Sequence, residues 1–227
     1  MDIADQVGRE GYGIVEGAFA EDKLRGVLES MRGSAIPRSR AGIRHVMSQP
    51  AVSEIARSDR MLALARSVAG NGAFPFRATL FDKSPNSNWL VAWHQDTALP
   101  LREKHGVEGW GPWSVKDGVI YAHAPARALE QVVALRLHLD NSNEDNGPLR
   151  VLPGTQNRGV LTDEEIHLLS EEVAPAECCV GVGGVVLMRP LVIHASSKAV
   201  SSAPRRVLHI EYAAHPSFEH GLELAIA

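Results

Sequence analysis

The sequence predicts a mainly β fold with flanking helices, a small jelly roll or β-sandwich. Three observations carry that expectation: a first third with helical spacing, a succession of about eight short apolar runs after Ala73, and Gly/Pro turn chemistry between them. Neither an internal repeat nor a dividing linker interrupts the 227 residues. They are taken as one domain over 1–227, with a helical part over 1–72 and a β core over 73–214.

From Glu21 to Met31, the residues Leu24, Val27, Leu28 and Met31 fall at helical spacing with charges between them. Ser58 to Val68 repeats the pattern with Met61, Leu62, Leu64, Ala65 and Val68, and Gly70-Asn71-Gly72 supplies a stop. The basic polar stretch between these helices, Arg38 to His45, reads as a loop. Phe74 to Lys83 and Asn88 to Asp96 read as strands. So does Gln131 to Asp140, whose second half sets Leu135, Leu137 and Leu139 on one face and Arg136, His138 and Asp140 on the other. Leu149 to Leu152, Val185 to Met188, Leu191 to His194 and Arg206 to Ala213 complete the set. One helix interrupts them, opened by Thr162 in a capping box with Glu165 ahead of Ile166, Leu168 and Leu169. Ala98 to Ala128, rich in Gly and Pro, is expected to be a long irregular segment of the kind that forms lids.

Composition excludes several classes. Hydrophobic residues at 44% and charged residues at 22% exclude a disordered chain, and a net charge of -4 leaves no basic field for nucleic acid. No apolar run approaches the roughly 20 residues a membrane helix needs. The first residues, Met1-Asp2-Ile3-Ala4-Asp5, lack a signal-peptide pattern, so a cytoplasmic location is expected. Cys178 and Cys179 are adjacent, which disfavours a disulfide, and lack C-x-x-C spacing; they read as two reduced thiols in a strand.

The 10 histidines include three in H-x-D/E pairs: His94 with Asp96, His138 with Asp140, and His209 with Glu211. In a strand, residues i and i+2 face the same way, so an imidazole and a carboxylate in such a pair can converge on one metal ion. A third ligand from a distant strand would make a two-histidine, one-carboxylate triad. Each pair alone is better explained by a partly buried, hydrogen-bonded histidine. His194 ends an apolar run, and Arg205 follows eleven residues later at the start of another. A guanidinium there offers a fork for a carboxylate, or is a surface charge beside a turn.

Taken together the parts are more specific. His94-x-Asp96, then Asn146-Gly147-Pro148-Leu149-Arg150-Val151-Leu152-Pro153-Gly154-Thr155, then His194-x-Ser196 and Arg205, resemble the phytanoyl-CoA dioxygenase family. Glu10 to Val15 matches that family's usual opening. The resemblance implies a double-stranded β-helix and an Fe(II)- and 2-oxoglutarate-dependent oxygenase. Such an enzyme oxidises a small molecule with O2 and releases succinate and CO2. It implies that His94, Asp96 and His194 hold Fe(II), and that Arg205 and Ser196 bind the distal carboxylate of 2-oxoglutarate. Arg206 is the neighbouring alternative to Arg205, turned to the opposite face in a regular strand. The other two H-x-D/E pairs fall where the family has no ligand. Related halogenases lack the carboxylate, so Asp96 implies hydroxylation or another oxidation such as desaturation. Two positions depart from the family pattern: Gly183-Gly184 stands where Gly-Asp is frequent, and Thr155-Gln156 where Ser-His is frequent. The alternatives are a cupin-like metalloenzyme that does not use 2-oxoglutarate and a non-catalytic metabolite-binding protein; the Arg205 and Ser196 pair argues against the first.

All four tryptophans fall in one window. Trp89 and Trp93 are expected to pack on the face of their strand opposite His94. Trp110 and Trp113 either line a lid or anchor a loop. Lys83, in a Phe-Asp-Lys-Ser-Pro stretch, is within reach of the pocket, but a solvated lysine is the expected reading.

Overall fold

The computed structural model describes residues 2–32, 36–39, 42–84 and 87–226. The first part contains α1 (Ile3–Glu10), β1 (Tyr12–Val15), α2 (Glu21–Arg32), the two-residue strands β2 (Arg38–Ser39) and β3 (Gly42–Ile43), α3 (Pro50–Ala56) and α4 (Asp59–Ala69). Then follow β4 (Phe74–Lys83), β5 (Val91–His94), β6 (Ala98–Leu101), β7 (Trp113–Lys116), β8 (Val119–His123), α5 (Ala126–Leu129), β9 (Val132–His138) and β10 (Leu149–Val151). The chain continues through α6 (Asp163–Glu172), β11 (Ala176–Cys178), β12 (Val185–Met188), β13 (His194–Ser196) and β14 (Arg205–Ala213).

Seven strands form a large sheet in the order β1-β12-β9-β14-β4-β3-β2, and four form a second sheet in the order β11-β10-β13-β5. The two sheets face each other as a double-stranded β-helix, with Lys83 of the first reaching Ser196 of the second. The helices cover the outer face of the large sheet. There Leu80, Leu135, Leu137, Leu208 and Ile210 pack with Leu24, Met61 and Leu64. On the inner face, Ala134, Val186 and Met188 meet Leu149, Val151 and Cys178 of the second sheet. β9 is buried at every position and β14 at every position but Arg206, so both strands are covered on both faces. The polar positions of β9, Arg136 and His138, are therefore turned inward, at 8% and 1% exposure.

The structure differs from the sequence-based expectation in several places. Arg38 to His45 is not all loop: Arg38–Ser39 pairs with Gly42–Ile43, and the latter pairs with β4 at the sheet edge. Arg40 and Ala41 lie outside the described residues. Residues 98–128 form a third sheet in the order β6-β8-β7, followed by α5. Trp110 and Trp113 pack into the apolar cluster beneath that sheet, with Trp110 5.3 Å from the Phe218 ring, so they anchor it and line no lid. Leu191 to Ile193 precedes a strand and is not one. The backbone of this run is held by the Gln95 amide, by Thr155 and by Leu152, none of which belongs to a regular ladder at that point. Both cysteines are free, and no described helix is long and apolar enough to cross a membrane.

The expected capping box at α6 is present: Glu165 N–H donates to Thr162 Oγ1 at 3.3 Å, and Thr162 N–H donates to Glu165 Oε2 at 2.7 Å. Ile166 and Leu169 of this helix pack with Leu152, Ile193 and Trp93, behind the strands that carry the histidines. Thr162→Ala should lower unfolding free energy by about 1 kcal/mol in a urea titration. An unchanged midpoint would show that α6 is held by packing alone.

Candidate active site

Strand register brings together residues far apart in sequence. His94, at the end of β5, lies opposite His194, at the start of β13, and their ring centroids are 4.2 Å apart. Asp96 follows two residues later, fixed by its N–H donating to Pro190 O at 2.9 Å. Asp96 Oδ1 is 3.6 Å from His94 Nε2, and Asp96 Oδ2 is 3.5 Å from His194 Nε2. The potential ligand atoms of the three residues all lie within 4.8 Å of one another. His194 is buried, whereas His94 and Asp96 are partly exposed, so the group opens on one side.

The donor set fits a divalent iron. His94 Nδ1 lies 2.9 Å from Ala92 O, and His194 Nδ1 lies 3.0 Å from Val192 O. A carbonyl accepts only, so each Nδ1 carries a hydrogen and each Nε2 is the nitrogen turned toward Asp96, the one by which an imidazole held in this way binds a metal. Burial and the neighbouring His94 push His194 down to about 4, against the pull of Asp96, so it is neutral at ordinary pH. Burial raises the Asp96 carboxyl, but the two imidazoles beside it outweigh that and hold it well below the usual carboxylate range. His94 is shifted the other way: burial lowers it, but its hydrogen bond with Asp96 and the Asp96 charge outweigh that and raise it, so a metal entering the site would displace a proton held between them. Two imidazoles and one carboxylate are the ligands of a facial triad.

Gln95, between two ligands, is buried and turned the other way. Its Nε2 donates to Leu191 O at 2.8 Å and to Gly159 O at 2.9 Å, and its Oε1 accepts from Leu161 N–H at 2.9 Å. This one amide ties the His94-x-Asp96 turn to the run that delivers His194. Thr155 does similar work: its hydroxyl donates to Leu152 O at 2.7 Å and accepts from Ile193 N–H at 3.0 Å. Neither role was legible in the sequence beyond the polar residue type.

Beside the triad is a cavity of about 190 Å³ lined by His94, Asp96, His194, Ser196, Arg205 and Arg136, with Phe81 and Trp89 among its walls. All five candidate site residues therefore meet in one place. Arg205 is buried, donating from Nε to Asn146 O at 3.2 Å and from Nη2 to Ser196 Oγ at 3.3 Å. Arg206 faces the opposite side, where it forks onto Asp140 through bonds of 2.7 and 2.6 Å.

Lys83 overturns its sequence-based reading. It is 1% exposed and donates to Ser196 Oγ at 2.8 Å and to Ser197 O, because β4 pairs it directly with Arg205 of β14. Burial, then Arg205 and Arg136, pull its ammonium down to about 7. Trp89 lies before β5 becomes regular, and its ring sits 5.3 Å from Lys83 Nζ in the cavity wall; Trp93 alone packs behind the strand, against α6. The other H-x-D/E pairs are engaged elsewhere. Asp140 is held by Arg206, and Glu211 is paired with Arg77, while His209 Nδ1 accepts from Arg136 at 3.1 Å. His138 is neutral, pushed down to about 3 by burial, Arg136 and Arg205, and neither of its ring nitrogens has a partner.

Comparison with known proteins gives concordant results. A model of the phytanoyl-CoA dioxygenase (PhyH) family matches residues 8–207. An L-proline trans-4-hydroxylase of Streptomyces griseoviridis is 26% identical over 224 residues, covering 87% of this chain and 74% of that protein. An ectoine dioxygenase of Bordetella bronchiseptica is 24% identical over 251 residues, covering 92% and 74%. Among solved structures, EctD from S. alaskensis with 2-oxoglutarate and 5-hydroxyectoine superimposes with a TM-score of 0.70 at 19% identity, covering 92% of this chain and 74% of that one.

Gly147 lies behind Ser196 at a backbone φ of +68°, and its carbonyl accepts from Ser196 Oγ at 2.8 Å. A Cβ there would collide with Ser197 O and come within 2.9 Å of Lys83 Nζ. Gly147→Ala should cost about 1–3 kcal/mol of unfolding free energy, read by denaturant titration. A loss below the error of that measurement would show that the turn has room to relax.

Proposed function

The chain belongs to the phytanoyl-CoA dioxygenase family and is a 2-oxoglutarate-dependent non-haem iron dioxygenase, and from that premise we propose that it hydroxylates a small molecule, releasing succinate and CO2. The observation that carries this reading is the cavity beside the triad. Arg205 lines it and Lys83 is buried against Ser196 of its wall, and neither has a carboxylate partner among the described residues. Buried cations are costly unless an anion meets them, and a dicarboxylic acid bound between them and the metal supplies that anion. A cupin-like enzyme without an acidic co-substrate gives these cations no purpose.

His94, Asp96 and His194 hold Fe(II) through the two Nε2 atoms and the carboxylate. When bound, iron and 2-oxoglutarate supply the oxidising power that O2 alone lacks toward a C–H bond. The remaining work is done by the chain. Ser196 donates to Gly147 O and accepts from Lys83 and Arg205, so its hydroxyl aligns the two cations on the distal carboxylate of the co-substrate. Phe81 and Trp89 wall the cavity and keep water from the co-substrate. Asp96 also lines a second chamber of about 310 Å³, whose walls include Thr79, Arg77, Tyr121 and His123. That chamber is the space for the substrate. Its polar walls suit a compact hydrophilic molecule better than a long acyl chain, in keeping with relatives named for L-proline and ectoine. The reading places the enzyme in the cytoplasm, where its two cysteines stay free thiols.

Anaerobic addition of Fe(II) and 2-oxoglutarate to the protein should produce a weak visible charge-transfer band, absent in His94→Ala. Asp96→Ala should release no succinate in air. A wild-type protein that shows no band would contradict the assignment.

A further inference from the structure

The cavity holds a third cation that the family reading leaves without a role. Arg136 projects from β9 on the inner face of the large sheet and is 8% exposed. It makes no ion pair among the described residues. One guanidinium nitrogen, Nη1, is bonded to His209 Nδ1 at 3.1 Å, and Nε has no partner. Because the guanidinium donates only, His209 is the acceptor and carries its hydrogen on Nε2, so it is a neutral imidazole and brings no counter-charge. The Phe81 ring lies 5.3 Å from the guanidinium carbon and limits the tilt of the fork.

A structural arginine in a protein interior is normally paired, since an unpaired buried charge is among the costliest features a fold can carry. Around it are Arg205, His138 and Lys83, all cationic or neutral, and the Cys178 thiol, which burial keeps protonated; the one carboxylate that attracts it, Asp96, belongs to the triad. The position identifies which anion is missing. Arg136 lines the inner cavity with Arg205 and the triad, and it does not line the outer chamber assigned to the substrate. Register places it opposite His209 on β14, four residues along that strand from Arg205, which faces the distal carboxylate on the reading above. The two guanidinium groups thus approach one cavity from separate positions along the sheet.

We propose that Arg136 holds the metal-side carboxylate of the 2-oxo acid while Arg205 holds the distal one. The inference rests on the assignment of this cavity to 2-oxoglutarate. Its consequence is specificity: Arg136 acts on any 2-oxo acid, and Arg205 acts only on those with a second carboxylate. With Nη1 committed to His209, Arg136 turns its remaining N–H groups to the ligand, and His209 acts as its positioning residue from the sheet. A fork held on two sides fixes the direction from which the carboxylate meets the metal.

The test uses the Fe(II)-loaded protein under anaerobic conditions, with 2-oxoglutarate and 2-oxopentanoate as probes, the latter lacking the distal carboxylate. Binding is followed by the charge-transfer band, and the thermal midpoint is measured without ligand. Arg136→Met should weaken both probes by about tenfold or more and shift the band maximum, because a charge-assisted bond to the metal-side carboxylate is lost. Arg205→Met should weaken 2-oxoglutarate and leave 2-oxopentanoate within twofold. Without ligand, the midpoint of Arg136→Met should equal or exceed that of wild type, because an unpaired buried cation has been removed. Arg136→Lys, which keeps the charge and much of the volume, should bind both probes with intermediate affinity and covers the case in which the methionine variant does not fold. The proposal is overturned if the arginine variants bind both probes as wild type does, if Arg136→Met weakens 2-oxoglutarate alone, or if its ligand-free midpoint falls while affinity is kept. Wild-type protein that binds neither probe would overturn the parent reading and this one with it. Binding that depends on Arg205 but not on Arg136 would overturn this one only.

Discussion

Burying positive charge without a counter-ion is the constraint around which this molecule is built. The large sheet turns an apolar face to the helices and a face carrying Lys83, Arg136 and Arg205 to the interior, where none of the three has a carboxylate partner among the described residues. That arrangement is sustained from outside. Leu80, Leu135, Leu137, Leu208 and Ile210 bury the outer face, and their burial offsets the cost of the charged inner one. Neutral acceptors make up part of the deficit: the Ser196 hydroxyl, the carbonyls of Asn146 and Ser197, and a histidine nitrogen. The cavity is therefore half of an interaction, and a dianion is the other half.

Pairing between strands carries the rest of the site. His94 meets His194 across β5 and β13, and Lys83 meets Arg205 across β4 and β14. Ser196, two residues beyond His194, touches both cations, so the ligand triad and the anion pocket share one strand. A one-residue slip of β13 would turn its side chains to the other face and take His194 and Ser196 out of the cavity together. The Gln95 amide and the Thr155 hydroxyl guard against that slip by tying down the irregular run before His194, where no ladder sets the register.

Much of this was legible in the sequence where chemistry and period coincide. β4 appears at its expected bounds, α2 and α4 lie within a residue or so of theirs because their apolar residues follow one period, and α6 starts at its expected Thr162 capping box. His94, Asp96, His194, Ser196 and Arg205 were found from ordered motifs and a family resemblance, and the geometry brings them into one cavity. Lys83 was misread because a lysine at a strand end is usually solvated. Its burial depends on a partner 122 positions away in the sequence, which no local pattern encodes. Arg136 and His138 alternate with leucines as exposed residues on a half-buried strand would, and only the second sheet, closing over that face, makes them interior. The third sheet over 98–128 was missed for a similar reason: its short strands are broken by Gly and Pro, and it is held by packing with residues near Phe218 and Leu222.

The central claim is that the inner cations lack a counter-charge until the co-substrate binds. Lys83 reports this most directly, since burial and then its two arginine neighbours pull its ammonium down to about 7. Its unfolded value is higher, so between those two values the unfolded chain binds more protons and folding stability rises with pH; a bound dianion should reverse this by favouring the charged form. Nitrogen NMR of labelled lysine side chains, with Lys83→Met to assign the signal, would measure this pKa with and without 2-oxoglutarate. The structure predicts a value near 7 in the free protein that climbs when 2-oxoglutarate is added. An ordinary lysine pKa in the free protein, unmoved by the ligand, would contradict it.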